Sequence, residues 1–346
     1  MDFPQFISFT VTNSCNLRCR MCGQWSEEGY VLNRTVDTRS RMTLSDWRRL
    51  VDEISLHKIR FLLVRGGEPF LFRGIIELLR YANSKGIFLS VDTNGTALDR
   101  YAAELSRIGN MHITFSVDGT EEVHDDVRKM KGSFRKISQN IALLNDLEQQ
   151  SGNRISKSIC FTISRYNYRV LGEMADVARS LSVPSVNIVP YYYFPDSVGA
   201  QYEEELRVNF DCTPFSWKGF HNEDSGVEFA RFREELKKYR ESLGDIYDFP
   251  YMPLTEDDYR VWFQDSLSIV GSTRCMNIET LIDIQPTGQA NFCVDFPDLA
   301  IGNVLDTDIR EVWNSPQAQR FRDYRRNRPL AVCYRCGAKY ISEIKE

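Results

Sequence analysis

Cys15-Asn-Leu-Arg-Cys19-Arg-Met-Cys22 follows closely on the first apolar run, Phe6-Ile-Ser-Phe-Thr-Val11. Three cysteines fall within this stretch, with three and then two residues between them. Thiolates are soft ligands suited to iron–sulfur clusters or zinc. At this spacing three of them can turn inward around one small metal core. A structural zinc site wants a closed set of four. A cubane cluster held by only three protein thiolates leaves one iron open to a further ligand. The stretch therefore reads as a strand that delivers a metal loop.

Working outward, short apolar runs alternate with amphipathic helical patterns for almost two hundred residues. Phe61–Val64, Phe88–Thr93, Ile113–Val117, Ile159–Ile163 and Val186–Val189 read as further strands. Between them, Thr43-Leu-Ser-Asp46 opens a helix that continues through Trp47, Leu50, Val51 and Ile54 at helical spacing. Ile75–Tyr81, Tyr101–Ile108, Phe134–Leu147 and Val170–Leu181 are helical as well. Six β/α repeats of this kind imply a parallel sheet, which right-handed crossovers curve into a partial barrel. In such barrels the chemistry sits at the C-terminal ends of the strands. The second strand runs into Arg65-Gly66-Gly67-Glu68-Pro69, where two glycines permit a close backbone approach. The third and fourth run into Asp92-Thr93-Asn94-Gly95 and Ser116-Val117-Asp118-Gly119, which also suit ordinary turns.

The three-cysteine loop and the Gly-Gly-Glu-Pro turn resemble those of the radical S-adenosylmethionine (radical SAM) enzymes. That family usually has an aromatic before the third cysteine; here the place is taken by Met21. The resemblance implies a (β/α)6 partial TIM barrel, with Cys15, Cys19 and Cys22 holding a [4Fe–4S] cluster that binds SAM through its open iron. It implies that Gly66, Gly67, Glu68 and Pro69 hold the SAM amino group. Asn94, Ser116 and Asp118 would line the SAM pocket, and Arg128 would pair with the methionine carboxylate. Thr162 and Ser164 at the end of the fifth strand, and Val189 and Pro190 at the end of the sixth, are further candidate SAM contacts. His124 reads as a structural histidine in preference to an acid/base, and Cys160 as a buried free thiol.

The chain has 346 residues, 42% hydrophobic and 26% charged, with a net charge of −5. Acids and bases are mixed, so nucleic acid is not an expected partner. The pairs Arg48-Arg49 and Arg325-Arg326 read as solvated helix faces. No apolar run approaches the roughly 18 residues of a membrane span, and Met1-Asp-Phe-Pro4 lacks signal-peptide features. A cytoplasmic protein is expected, and its nine cysteines are better explained by metal than by disulfides.

After Tyr191 the pattern changes. Residues 1–195 read as the barrel, 196–270 as a partly helical connecting segment, and 271–346 as a small α+β module. The connecting segment holds the amphipathic helix Phe229–Leu243 and an acidic, aromatic stretch with Tyr247, Phe249, Tyr251, Tyr259, Trp262 and Phe263. Those aromatics are expected to pack the segment onto the barrel; Cys212 has no partner spacing. In the last module Cys275 and Cys293 flank a hairpin, Thr280–Ile284 and Ala290–Val294 around Pro286-Thr-Gly288. Cys333-Tyr-Arg-Cys336 is a knuckle. Ligand chemistry alone allows four-thiolate zinc or a second cluster. The hairpin, together with Ile301-Gly-Asn-Val304 and the helix around Ile309–Phe321, resembles the SPASM/twitch extension of radical SAM enzymes. That resemblance implies one auxiliary [4Fe–4S] cluster on Cys275, Cys293, Cys333 and Cys336.

The activity so implied is reductive cleavage of SAM to a 5′-deoxyadenosyl radical that abstracts hydrogen from a substrate C–H. The auxiliary cluster then favours net oxidation, with flavodoxin or ferredoxin as electron donor. Asp295, two residues after Cys293, is the candidate base. The first strand begins near Phe6, so no fused leader-gripping domain is expected, which tilts the reading to a small alcohol, sugar or aminocyclitol. The alternatives are a peptide or protein maturase and, remotely, a non-enzymatic zinc protein.

Overall fold

The computed structural model describes residues 2–33, 39–249 and 252–337. Met1, Tyr251 and the end of the expected C-terminal module, 338–346, lie outside the described residues. The strands are β1 (Phe6–Thr10), β2 (Phe61–Arg65), β3 (Phe88–Thr93), β4 (Met111–Ser116), β5 (Ser156–Ile163), β6 (Ser185–Pro190), β7 (Tyr247–Asp248), β8 (Leu281–Ile284), β9 (Gln289–Asn291) and β10 (Gly302–Asn303). Among the described residues they form one sheet, in the order β10-β9-β8-β1-β2-β3-β4-β5-β6-β7. Strands β1 to β6 are parallel neighbours in sequence order, the arrangement of a partial (β/α)6 barrel.

The helices are α1 (Leu44–Leu56), α2 (Ile75–Ser84), α3 (Ala102–Leu105), α4 (Glu121–Arg128), α5 (Ser133–Ser151), α6 (Met174–Ser180), α7 (Asp196–Phe210), α8 (Phe229–Ser242), α9 (Glu256–Gln264), α10 (Asn277–Thr280), α11 (Ile309–Trp313) and α12 (Pro316–Asn327). Helix α1 starts where the sequence indicated. Thr43 and Asp46 cap each other's backbone reciprocally, and Trp47, Leu50, Val51 and Ile54 are buried. Removing any of the three aliphatic side chains forfeits about 1.5–3 kcal/mol of apolar burial.

Strand alternation separates the two faces of the sheet. Leu62, Val64, Leu89, Val91, Ile113, Phe115 and Val186 are fully buried. Their in-between neighbours Arg65, Ser90, Asp92, Thr114, Ser116, Cys160, Thr162 and Asn187 stay half-buried. With a period of two, these polar residues share the opposite face. The apolar face takes the helices, and the polar face lines the concave side of the barrel.

The C-terminal module continues this sheet. β8 pairs in parallel with β1, Ile7 opposite Ile282 and Ser8 opposite Asp283, and β9 returns antiparallel to β8. The expected hairpin is present, though β9 ends at Asn291. The expected helix 309–321 is two helices, because Pro316 lacks an N–H and Ser315 caps a new start. Helices α4, α7, α9 and α10 went unread in the sequence, and Tyr101–Ile108 forms only the short α3.

Arg325 corrects one expectation. It is 2% exposed rather than solvated, because it lies on the side of α12 turned to the cysteine module, whereas Arg326 faces out to Glu279.

The connecting segment is tied down by Asp298. Its carboxylate accepts from the Phe215 and Ser216 N–H groups, the Ser216 hydroxyl and the Tyr202 hydroxyl. Nearby, Gly219 packs so tightly that a Cβ there would sit 1.9 Å from the Gly23 carbonyl oxygen. The segment thus covers the end of the first cysteine loop. Asp298→Ala strands several buried donors, so a loss of about 3 kcal/mol is expected. Urea denaturation of the metal-free protein would measure it; a loss under 1 kcal/mol would contradict this role.

Candidate active site

The cysteine loop is held by backbone contact with the turn after β2. The Gly67 N–H donates to Thr12 O and the Glu68 N–H to Ser14 O, each at 2.8 Å. A Cβ on Gly66 would stand 2.5 Å from Thr12 O, and one on Gly67 2.4 Å from Ser14 O. The glycines are thus required by the cysteine loop itself. Glu68 is fully buried. Its carboxylate accepts from Phe70 N, Thr93 Oγ1 and Asn94 N, which locks the end of β2 to that of β3. Burial raises this carboxyl to about 7 despite those donors. Pro69 opens the short helix that follows and is buried. Asn94 reaches Asn16 at 3.0 Å and stands 4.0 Å from the Cys15 sulfur.

Around the three sulfurs the donors point inward. Leu17 N–H donates to Cys15 Sγ at 3.4 Å, and Arg128 Nη1 to Cys19 Sγ at 3.6 Å. The Trp25 and Gln24 N–H groups reach Cys22. Burial pushes the Cys15 thiol up to about 11 and that of Cys19 to about 12. Metal loading therefore has to displace a proton from each.

Arg128 is anchored by Asp118, Nε to Oδ2 at 2.6 Å. Asp118 is fully buried and its Oδ1 accepts from Thr162 N. The carboxylate therefore ties β4, β5 and α4 together beneath Cys19. His124 accepts from the Asp118 N–H through Nδ1; burial depresses it to about 3, so it stays neutral. Ser164 is fully buried and donates its hydroxyl to Asn167 Oδ1. Ser116, Thr162 and Val189 are half-buried on the concave face, and Pro190 is buried.

Three residues not singled out as site residues in the sequence complete the concave face. Arg65 ends β2 directly before Gly66. It pairs with Asp295 Oδ1 at 3.0 Å, with both side chains only about one-fifth exposed (23% and 21%). Tyr192 donates its hydroxyl to Asp295 Oδ2 at 3.0 Å. Asp283, pushed up by burial to about 6, accepts from Gln285 and Thr10. Arg65 was legible from the alternation Leu63–Arg65; the Tyr192 contact was not, because it joins distant segments. Asp295 thus faces the barrel from the strand side that also carries Cys293.

In the second set, Cys333 is buried and Cys275, Cys293 and Cys336 are half-buried. Burial raises Cys275 and Cys293, and each of the other three thiols adds to the shift at Cys293. Cys212 stands apart, bonded to Asp298 O. Sulfurs around one tetrahedral zinc would lie about 3.8 Å apart, given Zn–S near 2.3 Å. Among the described residues no three sulfurs of either set lie mutually within 4.8 Å; the group that does is the exposed Asp196, His221 and Glu223. In both places a spacing wider than that around a single zinc ion fits an iron–sulfur cluster.

The radical SAM superfamily model matches residues 9–178, and an iron–sulfur cluster-binding domain model, SPASM, matches 275–337. An AdoMet-dependent heme synthase of Methanosarcina barkeri is 22% identical, the match covering 99% of this chain and 89% of that protein. An Fe-coproporphyrin III synthase of the same organism is 28% identical over 54% of this chain, but the match spans only 43% of the relative. The subtilosin biosynthesis protein AlbA of Bacillus subtilis is 22% identical over 99% of this chain and 68% of its own length. Among solved structures, Streptococcus suis SuiB bound to its precursor peptide SuiA superposes with a TM-score of 0.64. It is 14% identical over 97% of this chain and 72% of that one. No helix among the described residues is long and apolar enough to cross a membrane.

Two outcomes follow from the geometry. Gly67→Ala should fold but lose most iron from the first site, measured as iron per chain after anaerobic reconstitution; native loading would contradict the backbone contact. His124 has a depressed pKa in the folded state, against about 6.5 unfolded. Its contribution is complete above pH 6.5 and is lost as pH falls toward 3. Metal-free protein should therefore lose stability about 1 kcal/mol per pH unit faster than His124→Phe between pH 6 and 4. Parallel slopes would contradict a buried neutral histidine.

Proposed function

Because the chain belongs to the radical SAM superfamily and carries a SPASM domain, we propose that it is a SAM-dependent radical enzyme that oxidises a small polar molecule on the concave face of the barrel. The clusters are assigned to Cys15, Cys19 and Cys22, and to Cys275, Cys293, Cys333 and Cys336. Loaded with these clusters and SAM, the site would supply a hydrogen-atom abstractor on one side and an electron acceptor on the other. A flavodoxin or ferredoxin would deliver the initiating electron.

The observation that carries this reading is the Arg65–Asp295–Tyr192 constellation. It sets a carboxylate on the polar face, two residues after Cys293 and paired with the strand end that precedes Gly66. Asp295 takes the substrate proton, Arg65 fixes one of its oxygens, and Tyr192 fixes the other. Arg128 and Asp118 hold the Cys19 sulfur in place, while Ser116, Thr162 and Val189 remain open to a ligand. The hydroxyls and amide on the concave face suit a substrate rich in polar groups. A relative matched nearly end to end, a heme synthase, also favours a small molecule.

The peptide-maturase reading stands second, supported by the match to AlbA. Reduction under anaerobic conditions with SAM should release 5′-deoxyadenosine from protein holding about eight irons, two four-iron clusters. Cys22→Ala should abolish that release. Asp295→Asn should retain it while stopping substrate turnover. A peptidase-treated metabolite extract should still accelerate SAM cleavage. Acceleration lost on peptidase treatment would favour the maturase, and SAM cleavage by Cys22→Ala would refute the first-site assignment.

A further inference from the structure

We propose that Arg325 is the built-in counter-charge of the second cysteine set, raising the reduction potential of the cluster held there. The inference rests on the second-cluster assignment above and concerns a residue for which no role has been assigned.

The buried arginines of the C-terminal module differ in what satisfies them. Arg335 is fully buried, and both its terminal nitrogens donate to carbonyls, those of Ser268, Tyr334, Val261 and Asp265, leaving Nε without a partner. Arg322 donates to the carbonyls of Ile278 and Trp313 and lies over the Trp313 ring, its Nη2 left without a partner but away from the cysteines. Arg325 is 2% exposed, and Nη1 donates to Thr273 O at 3.0 Å. Its Nη2 is buried without a hydrogen-bond partner. Among the described residues no carboxylate lies within ion-pair distance of it. Its titratable neighbours are thiols: Cys333 stands within hydrogen-bonding reach of the guanidinium, with Cys275 and Cys293 nearby.

A buried guanidinium with no anion is costly. Four thiolates around a cluster supply that anion, and the unspent N–H supplies a donor to sulfur. The first set is built otherwise, since Arg128 also reaches a cysteine sulfur but already has Asp118. Arg325 therefore delivers a full positive charge where Arg128 delivers a neutralised one. Cluster potentials respond to net charge and to hydrogen bonds at the sulfurs.

The test uses full-length protein with Cys15, Cys19 and Cys22 changed to Ala, so that only the second cluster is present. Its potential is read by titration monitored with electron paramagnetic resonance. Arg325→Gln should retain four irons and lower the one-electron reduction equilibrium tenfold or more, about 59 mV. Loss of iron from a folded Gln protein, with iron kept by Arg325→Lys, would equally support the counter-charge. Arg325→Lys, the variant to read should the Gln protein not fold, should stay within about threefold of the parent, roughly 28 mV. A Gln protein with four irons and the parent's potential would overturn the proposal, as would a Lys protein that loses iron or shifts tenfold. If the parent itself binds no iron, the second-cluster assignment falls first, and the proposal with it.

Discussion

Two glycines pressed against the peptide groups of Thr12–Ser14 set the position of everything else in the site. Backbone meets backbone there with no room for a Cβ, so the cysteine loop is fixed to the end of β2 by main-chain hydrogen bonds. Glu68 carries the same constraint on to β3, and Asp118 with Arg128 carries it from β4 and β5 back to Cys19. The first sulfur set is therefore referenced to successive strand ends. Such a frame can hold a metal cluster in one orientation even though each of its thiols is, by itself, an uncharged group at neutral pH.

The second sulfur set is brought in by sheet extension. β8 adds to the free edge of β1, so the residues that follow the hairpin come back over the concave face. Asp295 reaches Arg65 by this route. The pairing joins residues 230 apart in sequence, and it connects the two halves of the chain through a charge pair at the polar surface. The two cysteine sets then differ in electrostatics. One is accompanied by an arginine already paired with an aspartate, the other by an arginine with no acid beside it among the described residues.

Much of this was legible in the sequence. The three-cysteine spacing, the Gly-Gly-Glu-Pro turn and the alternation of strands and helices specify the barrel and its mouth, because each depends on local chemistry and period. Boundaries shifted where local rules competed, as at Pro316, which splits one helical pattern in two. Residues whose roles depend on distant partners were misread or missed. Arg325 looked solvated because its neighbour Arg326 is, and a helix face cannot be assigned from two adjacent arginines. Glu68 and Ser164 have partners that their sequence does not name, Thr93 and Asn94 for the first and Asn167 for the second. Tyr192 became visible only once the connecting segment was folded against the Cys293 loop.

The central claim is that the first cysteine set leaves one iron vacant for SAM. Electron–nuclear double resonance on the reduced protein, with SAM labelled by 15N at its amino group and 17O at its carboxylate, tests it most directly. Hyperfine coupling of both labels to the first cluster, absent from the Cys22→Ala protein, is the predicted result. A fully formed cluster that shows no coupling to either label would contradict the account.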